Sequence, residues 1–395
     1  MLTTSYPRHQ EDFAGGFILS LVHTLLDHGI AVDVVTPHAP QALFYEDSAD
    51  LRVHRFVYAW PLFLEQLAYG AGIPENIKRR PWLLLLIPFF MGAFLLRAWR
   101  VCALCDVIHV HWAPLGWLGL LLRWRYRLPL LISVHGSDVR SLPSAWVAPV
   151  LRRADAVITS ALETERRVAQ LGVPSEHCHA IPLPLDAARL RPGADVTTIA
   201  QQLGLSPDTP VVTFVGRLNE FKDPLTFVRA VPEVLADFPE ARFVVVGDGP
   251  LSGALHDFVV TAGLQHVVYL PGARSDVGNY LALSSVFTAL SPVENVWSMT
   301  IAEAMTAGVP CILTRAGCTE EVFTHEQDAY LIPMADSTAL AIAIVRLLRD
   351  AELRANLVRG GYDLLWRHGR DNASIGQTYA ALYTSLRQNG RENAR

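Results

Sequence analysis

Residues 211–224 read VVTFVGRLNEFKDP. The run Val211–Gly216 is β-branched and apolar, as a buried strand is, and it stops at a glycine. The residues from Arg217 to Lys222 form a loop, after which Asp223 and Pro224 make an N-cap and first-turn pair that starts a helix. Strand, loop and helix start, in that order, build an open parallel sheet, whose ligands bind outside the carboxyl ends of the strands. The start of a helix also attracts anions. Arg217 and Lys222 therefore stand where two cations can grip a diphosphate. The chain has 31 arginines and only two lysines, Lys78 and Lys222, so background composition does not account for a lysine in this loop.

The pattern extends in both directions. Strands are predicted over Ala31–Val35, Val107–Val110, Leu130–Val134 and Ala156–Thr159, then over Val211–Gly216, Arg242–Gly247, Val267–Leu270, Val286–Leu290 and Pro310–Thr314. Most neighbours leave room for a crossover helix, and 395 residues suffice for two such α/β domains. The Pro-rich stretch IPLPLDAARLRPGADV (Ile181–Val196) reads as the link, giving domains over 1–188 and 189–371. Residues 372–395 form a tail with helical spacing through Ile375, Tyr379, Leu382 and Leu386. Only Met1–Thr4 precede the turn at Tyr6-Pro7, so the first strand is a stub or the recorded start is late.

Composition adds a second theme. Hydrophobic residues make up 51 % and charged ones 18 %, with a mean hydropathy of +0.25, which excludes a disordered chain and is greasy for a two-domain protein. The net charge of −5 goes with the expectation of no nucleic-acid partner. Within 76–140, however, nine basic residues face two acidic ones. Trp82–Leu96 is a run of 15 uncharged residues interrupted by Pro88, shorter than the ~20 that span a bilayer. A second stretch, Leu115–Leu130, mixes Trp117 and Trp124 with Arg123, Arg125 and Arg127. Basic flanks and Trp/Leu faces over 78–130 predict docking on an anionic membrane surface, the alternatives being a buried helix or a hydrophobic partner face. Five scattered cysteines fit reduced thiols, with the C-x-x-C of Cys102 and Cys105 read as packing. No secretory signal pattern stands at the start. The expected location is the cytoplasm, on the inner face of the cell membrane.

Other polar groups gather at predicted strand ends. Gly247-Asp248-Gly249-Pro250 lets backbone approach a ligand. In SPVENVWSMTIAEAMTAGVP (Ser291–Pro310), Ser298 caps a helix that Gly308 and Pro310 end, with Glu303 on its second turn and Glu294 and Asn295 in the loop before it. These acceptors suit sugar and ribose hydroxyls. His135-Gly136-Ser137-Asp138 follows Leu130–Val134, and His109 and His111 share one face of their strand without a third metal ligand in view. Asp12-Phe13-Ala14-Gly15-Gly16 makes a second glycine-rich loop before the amphipathic Phe17–His28, with backbone N–H groups for phosphate.

The ordered set TTSYPR and DFAGG (3–16), HGSD (135–138), VGRL with Lys222 (215–222), GDGP (247–250) and EAMTAGVP (303–310) resembles glycosyltransferase family 4, the retaining, nucleotide-sugar-dependent enzymes of GT-B fold. The resemblance implies two Rossmann-like domains with parallel sheets facing across a cleft, the acceptor on the N-terminal one and the nucleotide sugar mainly on the C-terminal one. The last helix would cross back to the first domain. By position, Arg217 and Lys222 match the diphosphate pair, beside Gly216, and Glu303 matches the second Glu of an E-x7-E motif that holds the ribose. His135 matches the histidine near the reacting sugar, and Gly15 or Gly16 the glycine near the donor phosphates. Gly247 and Asp248 fall on the donor side, and His111 and Asp138 on the acceptor side.

Two departures stand out: eight residues separate Glu294 from Glu303, so that Asn295 occupies the motif's first place, and the usual Gly-Gly reads Gly317-Cys318. The family's same-face mechanism, in which the departing phosphate takes the acceptor proton, goes with the lack of an obvious carboxylate nucleophile. No D-x-D triplet occurs, so neither a metal nor a further cofactor is expected. The function implied is transfer of a hexose-type sugar to a lipid-linked or other membrane-proximal glycan or lipid hydroxyl. The alternatives are a binding partner that has lost catalysis and a GT-B sugar-nucleotide epimerase. No G-x-G-x-x-G supports an NAD enzyme.

Overall fold

The computed structural model describes residues 1–9, 12, 14–40, 42–70, 72–140, 142–193, 195–206, 208–291 and 298–392. They divide into two compact units, Met1–Pro184 with Asp371–Arg395, and Leu185–Arg370.

The strands of the first unit are β1 (Val32–Pro37), β2 (Tyr45–Ser48), β3 (Leu51–Phe56), β4 (Ile108–His111), β5 (Leu130–Val134), β6 (Ala156–Thr159) and β7 (Cys178–Ala180). They pair in the orders β1-β3-β2 and β4-β5-β6-β7, parallel throughout except for β2 on β3. Residues 1–3 close the gap between β1 and β4. Leu2 bridges Val35 and Val110 in parallel, its N–H donates to His109 O at 2.8 Å, and its carbonyl accepts from His111 N–H at 2.9 Å. The stub is thus the middle of the sheet, and the strand order reverses beside it. The β2–β3 pair was not read from the sequence, because YEDS carries a strand's hydrogen bonds without a strand's apolar pattern.

Every residue of β4, β5 and β6 is buried, as expected where helices cover both faces. On one face, Ile18, Leu21 and Leu25 of helix Gly16–Asp27 pack with Ile375, Tyr379 and Leu386 of the tail helix Asn372–Glu392. On the other lie helices Ile87–Cys102 and Gly116–Tyr126. Cys102 is buried and its thiol is pushed up to about 12 by burial, while Cys105 donates to Val101 O, so both serve packing.

The apolar surplus divides in two. Pro81–Cys102 runs as one 22-residue helical stretch, of which Leu83, Phe90, Phe94 and Ala98 are core. Pro88 causes no break because it sits in the first turn of Ile87–Cys102, where no N–H partner is lost. Trp82, Leu84, Leu85, Phe89 and Leu96 are exposed, as are Trp117, Leu121 and Trp124 of the neighbouring helix. Only 22 % of the most apolar window of Pro81–Cys102 is buried, far less than a core helix requires.

The second unit holds β8 (Val211–Val215), β9 (Arg242–Val246), β10 (Val268–Gly272), β11 (Val286–Ala289), β12 (Cys311–Thr314) and β13 (Tyr330–Ile332). All are parallel, in the order β10-β9-β8-β11-β12-β13. This is the doubly wound order, with the reversal between β8 and β11.

The units break at 184/185 and 370/371 rather than at 188 and 371. Leu185–Gly193 joins the second unit because it lies along helix Val277–Ala282: Gly193 N–H donates to Asn279 Oδ1 at 2.7 Å, and a Cβ at Gly278 would come within 2.5 Å of Leu190 O.

Tyr379 is among the largest fully buried side chains, which sets the tail helix's share of first-unit stability. Tyr379→Ala is expected to cost roughly 3–5 kcal/mol. The exposed control Gln377→Ala should leave the melting temperature unchanged, both read by calorimetry.

Candidate active site

In a doubly wound sheet the ligand crevice lies at the carboxyl ends of the strands flanking the reversal, here β8 and β11. The loop after β8 is held by the turn after β9. Gly216 N–H donates to Val246 O and Leu218 N–H to Asp248 O, both at 3.0 Å, and Leu251 N–H donates to Leu218 O at 2.9 Å. A Cβ on Gly247, whose φ is +151°, would stand 1.9 Å from Gly216 O, and one on Gly249 would stand 2.3 Å from Leu218 O. Asp248 Oδ1 accepts from Gly249 N–H and from Ser252 Oγ, each at 2.7 Å. The GDGP turn, assigned from sequence to donor contact, therefore acts as a brace: its glycines are required by backbone packed on backbone.

The braced loop carries the two cations. Arg217 is exposed and Lys222 half-buried, and the chain between them is closed by Lys222 N–H to Asn219 O at 3.1 Å. Asp223 takes a left-handed φ of 43° and caps helix Pro224–Asp237, its carboxylate accepting from Thr226 N–H at 3.3 Å and from Thr226 Oγ1 at 2.7 Å. The N-cap and first-turn proline read from sequence are in place.

The β11 side brings an acid. Glu294 and Asn295 lie outside the described residues. Ser298 Oγ accepts from Ile301 N–H at 3.4 Å and starts helix Met299–Thr306, which ends at Gly308. Glu303, on the second turn, is 1 % exposed. Burial raises its pKa and Asp186 adds to the rise, while Arg189 opposes it. Glu303 Oε1 lies 3.8 Å from Arg189 Nη1, and among the described residues Oε2 has no hydrogen-bond partner. A surface helix would leave such a carboxylate in water; burying it with an open acceptor atom costs stability. Sequence reasoning missed Arg189, whose only signal was its place three residues after Asp186 in the link.

The first unit gathers histidines at the ends of β4 and β5. His111 Nδ1 lies 3.3 Å from His135 Nε2, with the rings stacked at 8°. His109 Nδ1 lies 2.5 Å from the Tyr383 hydroxyl and Nε2 lies 2.7 Å from Ser133 Oγ. Burial pushes all three imidazoles below their ordinary range, Asp138 opposing this at His135, so they are neutral at pH 7. Asp138 is buried, and its carboxylate takes the N–H groups of Ala113 and His135, each at 2.9 Å, tying two strand ends together. His111 is 2 % exposed, with its Nδ1 against His135.

Of the glycines near the start, Gly15 has a φ of +72° and a Cβ there would stand 2.6 Å from Ser5 O, so the fold requires it. A Cβ on Gly16 would meet nothing within 4 Å, which makes Gly16 the one that faces open space. Asp12 shapes this loop, its carboxylate accepting from Arg8 Nε at 2.6 Å and Ala14 N–H at 3.1 Å.

Comparison with known proteins places this geometry. Residues 14–184 match the glycosyl transferase 4-like domain and residues 209–350 the glycosyl transferases group 1 family. The chain belongs to the GT4-type glycosyltransferases of GT-B fold and is an enzyme of that class, using nucleotide sugars. It is 25 % identical over 290 residues to the N-acetyl-alpha-D-glucosaminyl L-malate synthase of Bacillus anthracis, covering 71 % of this chain and 75 % of that one. It is 28 % identical over 282 residues to the UDP-Gal:alpha-D-GlcNAc-diphosphoundecaprenol alpha-1,3-galactosyltransferase of Escherichia coli, covering 66 % and 73 %. Among solved structures, Anabaena Alr3699/HepE in complex with UDP and glucose superposes with a TM-score of 0.74 at 20 % identity, covering 97 % of this chain and 98 % of that one.

Because burial raises the Glu303 pKa, the native state is favoured while Glu303 is protonated, and this advantage is lost as pH rises through the folded-state pKa. Without nucleotide, Glu303→Gln should match wild type in melting temperature at pH 4.5 and exceed it at pH 8. A lower melting temperature than wild type at pH 8 would mark Glu303 as a stabilising partner instead.

Proposed function

We propose that this glycosyltransferase moves a hexose-type sugar, with retention of configuration, from a nucleoside diphosphate sugar to a hydroxyl of a lipid-linked or other membrane-proximal glycan or lipid. What carries the donor half of this reading is the pairing, at the β8/β11 reversal, of a braced loop bearing Arg217 and Lys222 with the buried acid Glu303. Cations at a loop that leads into a helix start suit a diphosphate, and an acceptor-only carboxylate suits ribose hydroxyls.

In the reaction, the bond from the sugar's anomeric carbon to the diphosphate oxygen breaks and the acceptor oxygen bonds that carbon on the same face. The acceptor proton passes to the departing phosphate, on which negative charge grows. Arg217 and Lys222 stabilise that charge, and the transition state has oxocarbenium character. His135, neutral and aligned by His111 and Asp138, is assigned to the reacting sugar as a hydrogen-bonding group, since a neutral imidazole adds no positive charge next to a cationic centre. No residue of the chain is asked to hold a metal.

The acceptor half rests on the exposed face of Trp82, Leu85, Phe89, Trp117 and Trp124. Arg125 lies over the rings of Trp99 and Tyr126, 5.5 and 5.1 Å from their centroids, and Arg100 and Arg127 are exposed nearby in sequence. Trp and Leu side chains within a basic rim have the chemistry of an interfacial segment against anionic lipid. The relative whose name specifies a diphosphoundecaprenol acceptor favours this choice, and the malate synthase shows that a relative's name can also point to a small acceptor.

Two experiments test the reading. Lys222→Ala should remain folded while transfer falls about 100-fold or more, measured with membranes and a panel of labelled nucleotide sugars followed by organic extraction. Near wild-type transfer would sink the diphosphate assignment. In flotation with anionic liposomes the wild-type protein should rise with the lipid, and a Trp117→Ser, Trp124→Ser double variant should stay below. If wild type ignores the liposomes, the acceptor is soluble.

A further inference from the structure

The link between the units carries a group to which the donor reading gives no task. Arg189 is fixed from several sides. Asp186 Oδ1 accepts Arg189 N–H at 3.0 Å, and Leu190 N–H donates to Asp186 O at 3.1 Å. A Cβ at Gly278 would lie 2.7 Å from Arg189 O, so only a glycine there lets the segment settle onto helix Val277–Ala282. Asn279, buried, accepts from Gly193 N–H at 2.7 Å and donates to Asp276 Oδ2 at 3.1 Å, while Arg274 grips Asp276 at 2.8 and 2.9 Å. This chain of contacts delivers the Arg189 guanidinium to Glu303.

The contact made there is incomplete. Arg189 Nη1 and Glu303 Oε1 are 3.8 Å apart, too far for a hydrogen bond, and among the described residues Arg189 Nε and Glu303 Oε2 are both buried without a partner. One is a donor only and the other, when ionised, an acceptor only. Two such atoms belonging to one ion pair, both dry and both unmatched, call for a ligand that donates from one atom and accepts at the next. A vicinal diol does both.

We propose that Arg189 is a second ribose-reading residue: its Nε–H donates to one hydroxyl of the nucleotide's 2′,3′-diol while the other hydroxyl donates to Glu303 Oε2. The same cation opposes the rise that burial imposes on the Glu303 pKa. Among the described residues Arg189 and Asp186 are the charged groups that act on this carboxylate, and of the two Arg189 favours its ionised form. The inference rests on the reading of Glu303 as the ribose contact.

The test is titration calorimetry on the full chain. The probe is whichever of UDP, GDP and ADP binds tightest, compared with its 2′,3′-dideoxy counterpart. Wild type should prefer the ribose form, and Arg189→Ala should weaken the ribose form about tenfold at pH 7 while leaving the dideoxy form unchanged. As pH falls, the ribose form should lose affinity at a higher pH in Arg189→Ala than in wild type. Combined with Glu303→Gln, Arg189→Ala should add little further loss. Arg189→Gln, which keeps a hydrogen-bonding amide, serves as the second variant should the alanine fold poorly. Equal weakening of both probes by the Arg189 variants, or no weakening of either, overturns the proposal. If Glu303→Gln leaves the ribose preference intact, or no diphosphate binds wild type, it is the donor reading itself that fails.

Discussion

Backbone laid on backbone at two strand ends is the contact on which the loop after β8 depends. Gly247 and Gly249 come so close to Gly216 and Leu218 that no side chain fits between them. The β9 turn thereby fixes the β8 loop before any ligand arrives. Pre-organised cations stabilise developing charge without reorganising at the moment of reaction, and the role proposed for Arg217 and Lys222 draws on that rigidity. The helix that begins at Pro224, capped by Asp223, ends the loop at a fixed place.

The two units solve opposite electrostatic problems. The second buries Glu303, and the protein tolerates the cost of this carboxylate by bringing an arginine near without completing the pair. An incompletely matched ion pair is poor for stability and good for recognition. The first unit buries three imidazoles so deeply that they stay neutral and ties them to one another, to Ser133 and to Tyr383 of the tail helix. The tail is therefore part of the wall behind His135 rather than an appendage.

The fold was legible in the sequence wherever burial writes a pattern. β5, β6 and β8 are mostly apolar and buried throughout, and their strands stand within a residue of the predicted bounds. β2, β3, β7 and β13 escaped, three of them because strands of three or four residues carry no period to detect, and β3 because charged and polar residues fill half of LRVHRF. At the site, Lys222 stood out by rarity and Glu303 by its place after a capped start, but its burial was invisible. Asp138 and Asp248 stand out in the sequence by their place at strand ends, but the backbone N–H groups that their carboxylates accept were not legible there. Arg189 was hidden because its partner lies more than a hundred residues away.

In the function proposed, the donor nucleotide is held at the β8/β11 reversal of the second unit. Amide hydrogen exchange with and without a nucleoside diphosphate measures this directly. Exchange should slow in 216–223, 247–251 and 299–306, with the amides of β12 and β13 unchanged. Slowing confined to the first unit, or none in these three segments, would contradict it.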